Sequence, residues 1–258
     1  PVDVPKGVEV TLSDTDVAVK GPLGTLKQFL LPAVTIERDG EKLLCRAVEG
    51  APNSGAMSGT MRALLNNMVI GVTKGFASEA VVAAVGAGCD AIGENYAKEL
   101  LDKRSTIVQL RPEVHFIGRL QRNKVRLLVG VVDVWCSLDR ASLIDEVATR
   151  DPGARVLIQV DTTGDPAKGG CAIVDVAALV ERARDVGLVV AGLMTVGPTG
   201  EPAESARAGF RQVRDLVDDL GLDVCSMGMS GDLEVAVQEG STEVRIGTAL
   251  FGPRPPRH

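Results

Sequence analysis

From residue 69 onward, short apolar runs alternate with amphipathic stretches, and this alternation limits the possible folds more than any other feature. Such alternation is typical of parallel βα units. Eight runs of this kind predict an α/β fold, a compact (β/α)8 barrel of the TIM type. The runs centre on Val72, Ile92, Phe116, Val134, Ile158, Leu193, Cys225 and Ile246, and the helical patterns cover 78–87, 96–101, 142–149, 174–186, 204–220 and 233–239.

Composition and charge narrow the class of protein. Hydrophobic residues make up 45% of the chain but aromatic residues only 3%, so the core is aliphatic, as buried parallel strands require. A net charge of -6 argues against nucleic acid as the primary partner. The five cysteines form no CxxC pair, which predicts reduced thiols and no metal site. No apolar run could span a membrane, and no signal-peptide pattern is evident, so we expect a cytoplasmic protein.

The first part of the chain has a different pattern of short alternating runs. They predict antiparallel strands over 8–12, 17–20, 25–30, 34–37 and 42–47, with Asp39-Gly40 as a two-residue hairpin turn. Helical spacing follows from about Ser54 or Ser58 to Met68. We therefore predict a small β-sheet and helix domain over 1–67 and a barrel domain over 68–258.

Three segments in this first part resemble the N-terminal half of the large-subunit ribosomal protein L6 family. They are PVDVPKGV (1–8), VAVKGPLG (17–24) and GTMRALLNNMVIGVTKGF (59–76). The resemblance implies an RNA-binding fold. However, residues 1–66 carry seven Lys or Arg and eight Asp or Glu, so a role in rRNA binding is not expected.

The segment GVTKGF (71–76) fits two patterns, because it ends the ribosomal helix and also supplies the first barrel strand. A barrel without that strand would expose two sheet edges, whereas the small domain would lose only the end of a helix. We therefore predict helix to Asn66 or Asn67 and strand from Met68 or Val69.

Polar residues gather at the predicted strand ends, where barrels carry their functional sites. Lys74 would lie at the end of the first strand, where a lowered pKa makes an amine nucleophilic. The alternative is a surface lysine in a loop. The sequence predicts a helix that opens near Ser230 and a small turn at Gly247-Thr248 after the last strand. Ser230, Gly247 and Thr248 together predict a phosphate site. Arg245, if it points inward, needs an anionic or acceptor partner.

Residues 69–252 resemble the pyridoxal phosphate homeostasis protein family, a single-barrel relative of alanine racemase. The matching motifs are VTK (72–74), IGENY (92–96), HFIGRLQRNK (115–124), VLIQVD (156–161), KGG (168–170), GLM (192–194), SMGMSGD (226–232) and GSTEVRIGTALFG (240–252). The chain therefore looks like a fusion of two families that share the segment GVTKGF.

The second resemblance implies pyridoxal 5'-phosphate as the cofactor. It makes Lys74 the Schiff-base lysine and Arg245 the partner of the pyridine nitrogen. The remaining positions carried over from the family are Ser230, Gly247 and Thr248 at the phosphate, and Asn95 and Met227 at the ring.

The same resemblance implies a protein that buffers the cofactor and delivers it to pyridoxal phosphate-dependent apoenzymes, rather than an enzyme with strong turnover. Weak racemase-type activity stays open. Two further alternatives are a ribosome-associated protein acting through the N-terminal domain, and a folded fusion without function.

Overall fold

The computed structural model describes residues 2–3, 9–13, 16–21, 24–29, 34–39, 42–47, 69–72, 76, 78–86, 89, 91–247 and 251. The predicted helix between Ser54 and Met68 lies outside these residues, as do Lys74 and Thr248. Within them, no helix is long and apolar enough to cross a membrane.

The N-terminal strands form two antiparallel sheets of three strands each. One sheet has the order β2 (Glu9–Leu12), β3 (Asp16–Gly21) and β4 (Gly24–Phe29). The other has the order β1 (Val2–Asp3), β6 (Lys42–Ala47) and β5 (Val34–Asp39). The five strands predicted from the alternating runs are therefore confirmed. The pattern did not reveal β1, because two residues are too few to show alternation.

The predicted hairpin turn at Asp39-Gly40 was wrong by one residue. Asp39 pairs with Lys42 in the β5–β6 ladder, so the two residues between the strands are 40 and 41. These two residues lie outside the described part of the chain, and the register places Asp39 in the strand.

Eight parallel strands make up the second part of the fold. They are β7 (Val69–Val72), β8 (Ala91–Glu94), β9 (Glu113–Phe116), β10 (Val134–Leu138), β11 (Arg155–Val160), β12 (Val189–Thr195), β13 (Val224–Ser226) and β14 (Val244–Ile246). Their order in the sheet is β13-β12-β11-β10-β9-β8-β7-β14. A parallel bridge between Ser226 and Glu243 joins the two ends, so the sheet closes into the predicted barrel.

The segment that fits two patterns is a strand where the structure describes it. Val69–Val72 pairs with β14 through Val244↔Val69 and with β8 through Gly71↔Ile92. The prediction that strand begins at Met68 or Val69 is therefore confirmed.

Helices cover the outside of the barrel. They are α1 (Ser78–Gly86), α2 (Ala97–Asp102), α3 (Arg104–Leu110), α4 (Arg122–Leu128), α5 (Ala141–Arg150), α6 (Val176–Asp185), α7 (Arg207–Asp219) and α8 (Leu233–Gln238). The sequence prediction omitted α3 and α4. These helices are short, and α3 buries only Ile107, so neither has a wide apolar face that a periodicity search can detect.

Two groups of apolar side chains form the barrel core. The larger one lies between helices and strands and includes Trp135 and Phe210, which are both fully buried. The smaller one consists of Val134, Cys136, Leu157 and Met194 on three adjacent strands. Since neighbouring residues of a strand face opposite sides, these two groups are the outer and inner faces of the same sheet.

Gly192 in β12 lies where the backbones of β12 and β13 are close together. A Cβ at this position would lie 1.9 Å from the backbone oxygen of Val224 in β13. Because that oxygen belongs to a paired strand, Gly192→Ala should destabilise the barrel by about 3 kcal/mol. Urea unfolding followed by fluorescence of Trp135, the only tryptophan of the chain, measures this loss.

Gly86→Ala is the matched control. Its Cβ would meet nothing within 4 Å, and it ends helix α1. We expect a change of no more than about 1 kcal/mol, in the stabilising direction. Equal unfolding midpoints for the two variants would contradict the close approach of β12 and β13.

Candidate functional site

The C-terminal ends of the barrel strands border one cavity of about 760 Å³. Its described lining residues come from β9, β11 and β14 themselves and from the segments that follow β8, β9, β11, β12 and β13. They are Asn95, Tyr96, Ala97, Lys98, Phe116, Ile117, Arg119, Gln121, Lys124, Gln159, Ala167, Lys168, Val196, Thr199, Met229 and Arg245. This is the end of a parallel barrel where ligands bind.

Arg245 is a buried cation in the wall of this cavity. Its side chain is held by neutral oxygens: Nη1 donates to the Ser226 carbonyl at 2.9 Å and to Ser226 Oγ at 2.7 Å, and Nη2 donates to the Thr195 carbonyl at 2.6 Å. Burial lowers the pKa of the guanidinium, because a charge is costly away from water. Arg245 is thus fixed in place, and the acceptors that hold it do not neutralise it.

Thr195 links Arg245 to the neighbouring strand. Its hydroxyl donates to the Val160 carbonyl at 2.9 Å and lies 3.1 Å from the hydroxyl of Thr162. These contacts tie the end of β12 to the end of β11. The position of the Arg245 guanidinium is therefore set by three consecutive strands, β11, β12 and β13.

Asn95 lies at the edge of the cavity directly after β8. The Ile117 amide donates to the Glu94 carbonyl at 2.9 Å, which brings the segment after β9 against it. A Cβ on Gly118 would lie 2.0 Å from the Asn95 carbonyl oxygen, so only glycine permits this approach. Gly118 therefore holds Asn95 in the cavity wall, a contact that the sequence did not reveal.

Glu94 and Lys103 form a buried ion pair behind this wall. The Lys103 amine lies 2.5 Å from Glu94 Oε1, and both side chains are almost completely buried. Loss of one partner from such a pair is strongly destabilising, because the other charge stays buried. The amine of Lys103 therefore has a structural role here, since a carboxylate already holds it.

Met227, in the loop between β13 and α8, was expected to border the cofactor ring, but the structure buries it. Met227 is fully buried, and the Cys225 thiol lies 3.6 Å from its sulfur. Met229, and not Met227, lines the cavity. The Asp232 carboxylate accepts from the Met229 amide at 2.6 Å, which closes the loop around Ser230.

Glycine shapes the same loop. Gly228 has a φ of 97°, and a Cβ there would lie 2.5 Å from the Cβ of Ala236 in α8. Both constraints require glycine at this position. Ser230, which is exposed, follows Met229 in this loop. Its place at the phosphate stays a prediction.

Two aromatic rings that follow Lys74 and Thr248 in the sequence are in contact. Phe76 follows Lys74 by two residues, and Phe251 follows Thr248 by three. The two ring centroids are 5.3 Å apart, and the Phe251 amide donates to the carbonyl of the buried Gly247 at 2.9 Å. This pair connects the first and last units of the barrel next to the positions that we predict to bind the ligand.

Several lining residues were not assigned a role from the sequence. Gln159 donates to the Lys168 carbonyl at 2.9 Å, and the Lys168 amine donates to the Gly197 carbonyl at 2.8 Å. Gln159 is a polar residue inside the apolar run 156–160, and that interruption was the available signal. No sequence signal identifies Arg119 and Met229, because their place in the cavity wall depends on loop conformation.

A second cluster of titratable groups lies farther inside the barrel. His115 Nε2 is 2.6 Å from Glu113 Oε1, and His115 Nδ1 is 3.5 Å from Glu243 Oε2 and 3.7 Å from the Cys136 sulfur. Burial lowers the pKa of His115, but Cys136, Glu113 and Glu243 raise it to about 10 overall. The imidazole is therefore a cation at neutral pH. Burial also raises the pKa of the Cys136 thiol, while the adjacent imidazole opposes that shift.

The raised pKa of His115 should make the barrel less stable at high pH. A histidine in the unfolded chain titrates near pH 6.5, so the stabilisation is complete below that pH and is lost as the pH rises toward 10. His115→Gln should flatten this decline, which urea unfolding at pH 6, 8 and 9.5 measures. The groups that face the imidazole, Glu113, Glu243 and Cys136, are unchanged in this variant.

The chain has one other histidine, so His258→Gln is the matched control. It should keep the decline of the wild type. The same decline in His115→Gln would show that the pH dependence comes from other groups.

Two family models match the chain. The alanine racemase N-terminal domain model matches residues 59–255, and the ribosomal protein L6 model matches residues 4–75. The two matches overlap at residues 59–75, which include strand β7 and the first five residues of the segment GVTKGF. The chain therefore joins sequences similar to two families, as the motifs predicted.

Individual relatives also fall into two groups, similar to the two families. A pyridoxal phosphate homeostasis protein of Aquifex aeolicus is 41% identical over 72% of this chain and 86% of its own length. A large ribosomal subunit protein uL6 of Aromatoleum aromaticum is 55% identical over 36% of this chain. The match covers 53% of the ribosomal relative, about half of its length.

Among solved structures, PipY of Synechococcus elongatus with PLP bound superposes with a TM-score of 0.67 at 30% identity. The match covers 75% of this chain and 97% of that protein. The barrel of the two proteins is therefore the same fold.

Proposed function

The chain belongs to the family of the pyridoxal phosphate homeostasis proteins, and we propose from that membership that it binds and stores pyridoxal 5'-phosphate at the C-terminal end of its barrel. It acts as a carrier of the cofactor rather than as an enzyme with strong turnover. The relatives named above support this proposal through their own names and through the PLP bound to PipY.

The observation that carries the proposal is the geometry of Arg245. Arg245 is 3% exposed and its direct contacts in the cavity wall are neutral oxygens, so its charge favours a ligand that offers an acceptor or a negative charge. Three of its five N–H donors are used within the described part of the chain. The pyridine nitrogen of the cofactor is an acceptor of the required kind.

We assign the remaining roles as follows. The amine of Lys74 would hold the cofactor covalently, and Ser230, Gly247 and Thr248 would hold its phosphate. Asn95 and Met229 line the cavity in which the ring lies, while Met227 supports this loop from the core.

When bound, pyridoxal phosphate supplies an aldehyde that bonds to amines and a ring that can withdraw electrons. A permanently charged arginine next to the pyridine nitrogen disfavours a proton on that nitrogen, which makes the ring a weaker electron acceptor. Arg245 therefore favours storage of the cofactor over catalysis.

Lys74 is the residue to test first. Addition of pyridoxal phosphate to the wild type should give an absorption band distinct from that of the free cofactor, and Lys74→Ala should lose it, because the side chain no longer has an amine. Borohydride reduction followed by peptide mass spectrometry should place the cofactor on Lys74 in the wild type.

Two further variants make this test specific. Lys74→Arg keeps the charge but cannot form the bond, so it should behave as Lys74→Ala does. Lys27→Ala removes a lysine from β4 of the N-terminal sheet and should keep the band. A band that persists in Lys74→Ala would show that another amine holds the cofactor.

Transfer of the cofactor to pyridoxal phosphate-dependent apoenzymes is the second part of the proposal. The loaded chain should restore the activity of an apo-aminotransferase, used as the probe. It should still do so when a phosphatase destroys the free cofactor, because the cofactor passes directly between proteins. If the phosphatase abolishes reactivation, the chain releases cofactor only into solution.

The similarity to ribosomal protein L6 favours rRNA binding as a second candidate function. The charge of the segment opposes it, since seven basic residues among the first 66 are balanced by eight acidic ones. RNA binding depends on a surplus of positive charge. We therefore do not extend the proposed function to rRNA.

A further inference from the structure

The charge of the cavity lining differs from the charge of the chain. The chain has a net charge of -6, yet the described lining residues include the cations Lys98, Arg119, Lys124, Lys168 and Arg245 and no aspartate or glutamate. A lining of one sign concentrates the electrostatic field inside a cleft. The cavity therefore attracts anions to a chain whose net charge would repel them.

Two of these cations already have backbone partners inside the cavity. Arg245 is held by Ser226 and Thr195, and the Lys168 amine donates to the Gly197 carbonyl at 2.8 Å. Their positions are fixed by the barrel wall. They belong to the inner part of the site.

The other three, which we call the rim cations, are Lys98, Arg119 and Lys124. Lys98 in α2 and Arg119 after β9 are exposed, and Lys124 in α4 is half-buried. No carboxylate pairs with any of the three within the described part of the chain. The Arg119 side chain donates a hydrogen bond to the Pro166 carbonyl at 3.2 Å, which leaves its charge in place.

The nearby acidic group does not neutralise this rim. Asp139 borders an adjoining cavity that it shares with Arg119, but it is paired with Arg140. The charge of Arg119 is therefore available to a ligand. Lys98 and Lys124 lie on neighbouring helices, so the rim cations surround one side of the cavity mouth.

We propose that the rim cations form an outer anion site, which captures phosphate-bearing ligands at the mouth of the barrel before they reach the inner site. This inference rests on the proposed function, because the inner site is where the captured cofactor is kept. Pyridoxal phosphate carries most of its negative charge on the phosphate, a group separate from the aldehyde that must reach Lys74. An outer site that holds the phosphate raises the rate of entry without a contact to the ring.

The rate of cofactor binding tests this site. Stopped-flow measurement at low, intermediate and high ionic strength should show a wild-type association rate that falls as salt screens the rim. The double variant Arg119→Gln/Lys124→Gln should bind about tenfold more slowly at low salt and depend less on salt. Its dissociation rate should be unchanged, because the inner residues are intact.

Two controls separate the rim from general effects. Arg104→Gln/Arg184→Gln removes the same charge at the opposite end of the barrel, where Arg104 shares a cavity with Glu113 and Arg155, and should behave as the wild type. Pyridoxal, which lacks the phosphate, should bind the wild type and the rim variant at equal rates.

The outcomes distinguish the two proposals. If the wild type binds pyridoxal phosphate but the rim variant associates at the same rate, the outer site is wrong and the proposed function stands. Equal slowing of pyridoxal and pyridoxal phosphate would also overturn the outer site, because it would indicate damage to the barrel. If the wild type binds neither compound, the proposed function fails and the outer site fails with it.

Discussion

The pairing of Val69–Val72 with two neighbouring strands is the constraint on which the rest of the barrel depends. This strand joins Ala91–Glu94 on one side and Val244–Ile246 on the other, and the Ser226–Glu243 bridge completes the closure. Without it, two strands would present unpaired backbone groups to solvent. Arg245 lies on one of those two strands, so the geometry of the cavity wall depends on this pairing as well.

The same pairing explains how one segment can serve two families. Val69, Ile70 and Val72 are β-branched, and such residues favour strands over helices when a sheet offers them a place. Strand formation gains hydrogen bonds on both sides, whereas the helix alternative would gain only its own terminal turn. The strand at 69–72 could be predicted from the sequence, because a closed barrel needs eight strands and counting them requires no knowledge of side-chain packing.

Periodicity was sufficient to predict the strands and long helices, because their signals repeat over many residues. It failed where the structure depends on one residue or on the path of a loop. The helix α3 buries only Ile107, the hairpin after β5 is shifted by one residue, and Met229 lines the cavity in place of Met227. Only three-dimensional packing distinguishes two methionines separated by one glycine.

The buried charges explain why the site could be only partly inferred. In the described part of the chain, Glu94 is paired with Lys103, Asp232 accepts from a backbone amide, and His115 lies between two glutamates. Glu243 is far from His115 in sequence, and Lys103 lies between two helices beyond the strand of Glu94, so local spacing does not reveal these two pairs. Arg245 differs from the others, because the groups that contact it directly are neutral. A buried cation without a direct counter-ion is stable only if nearby charges or a ligand supply the missing negative potential. Glu243 contributes part of that potential from the same strand. The cavity above Arg245, open to a rim of further cations, is where an anionic ligand can supply the rest.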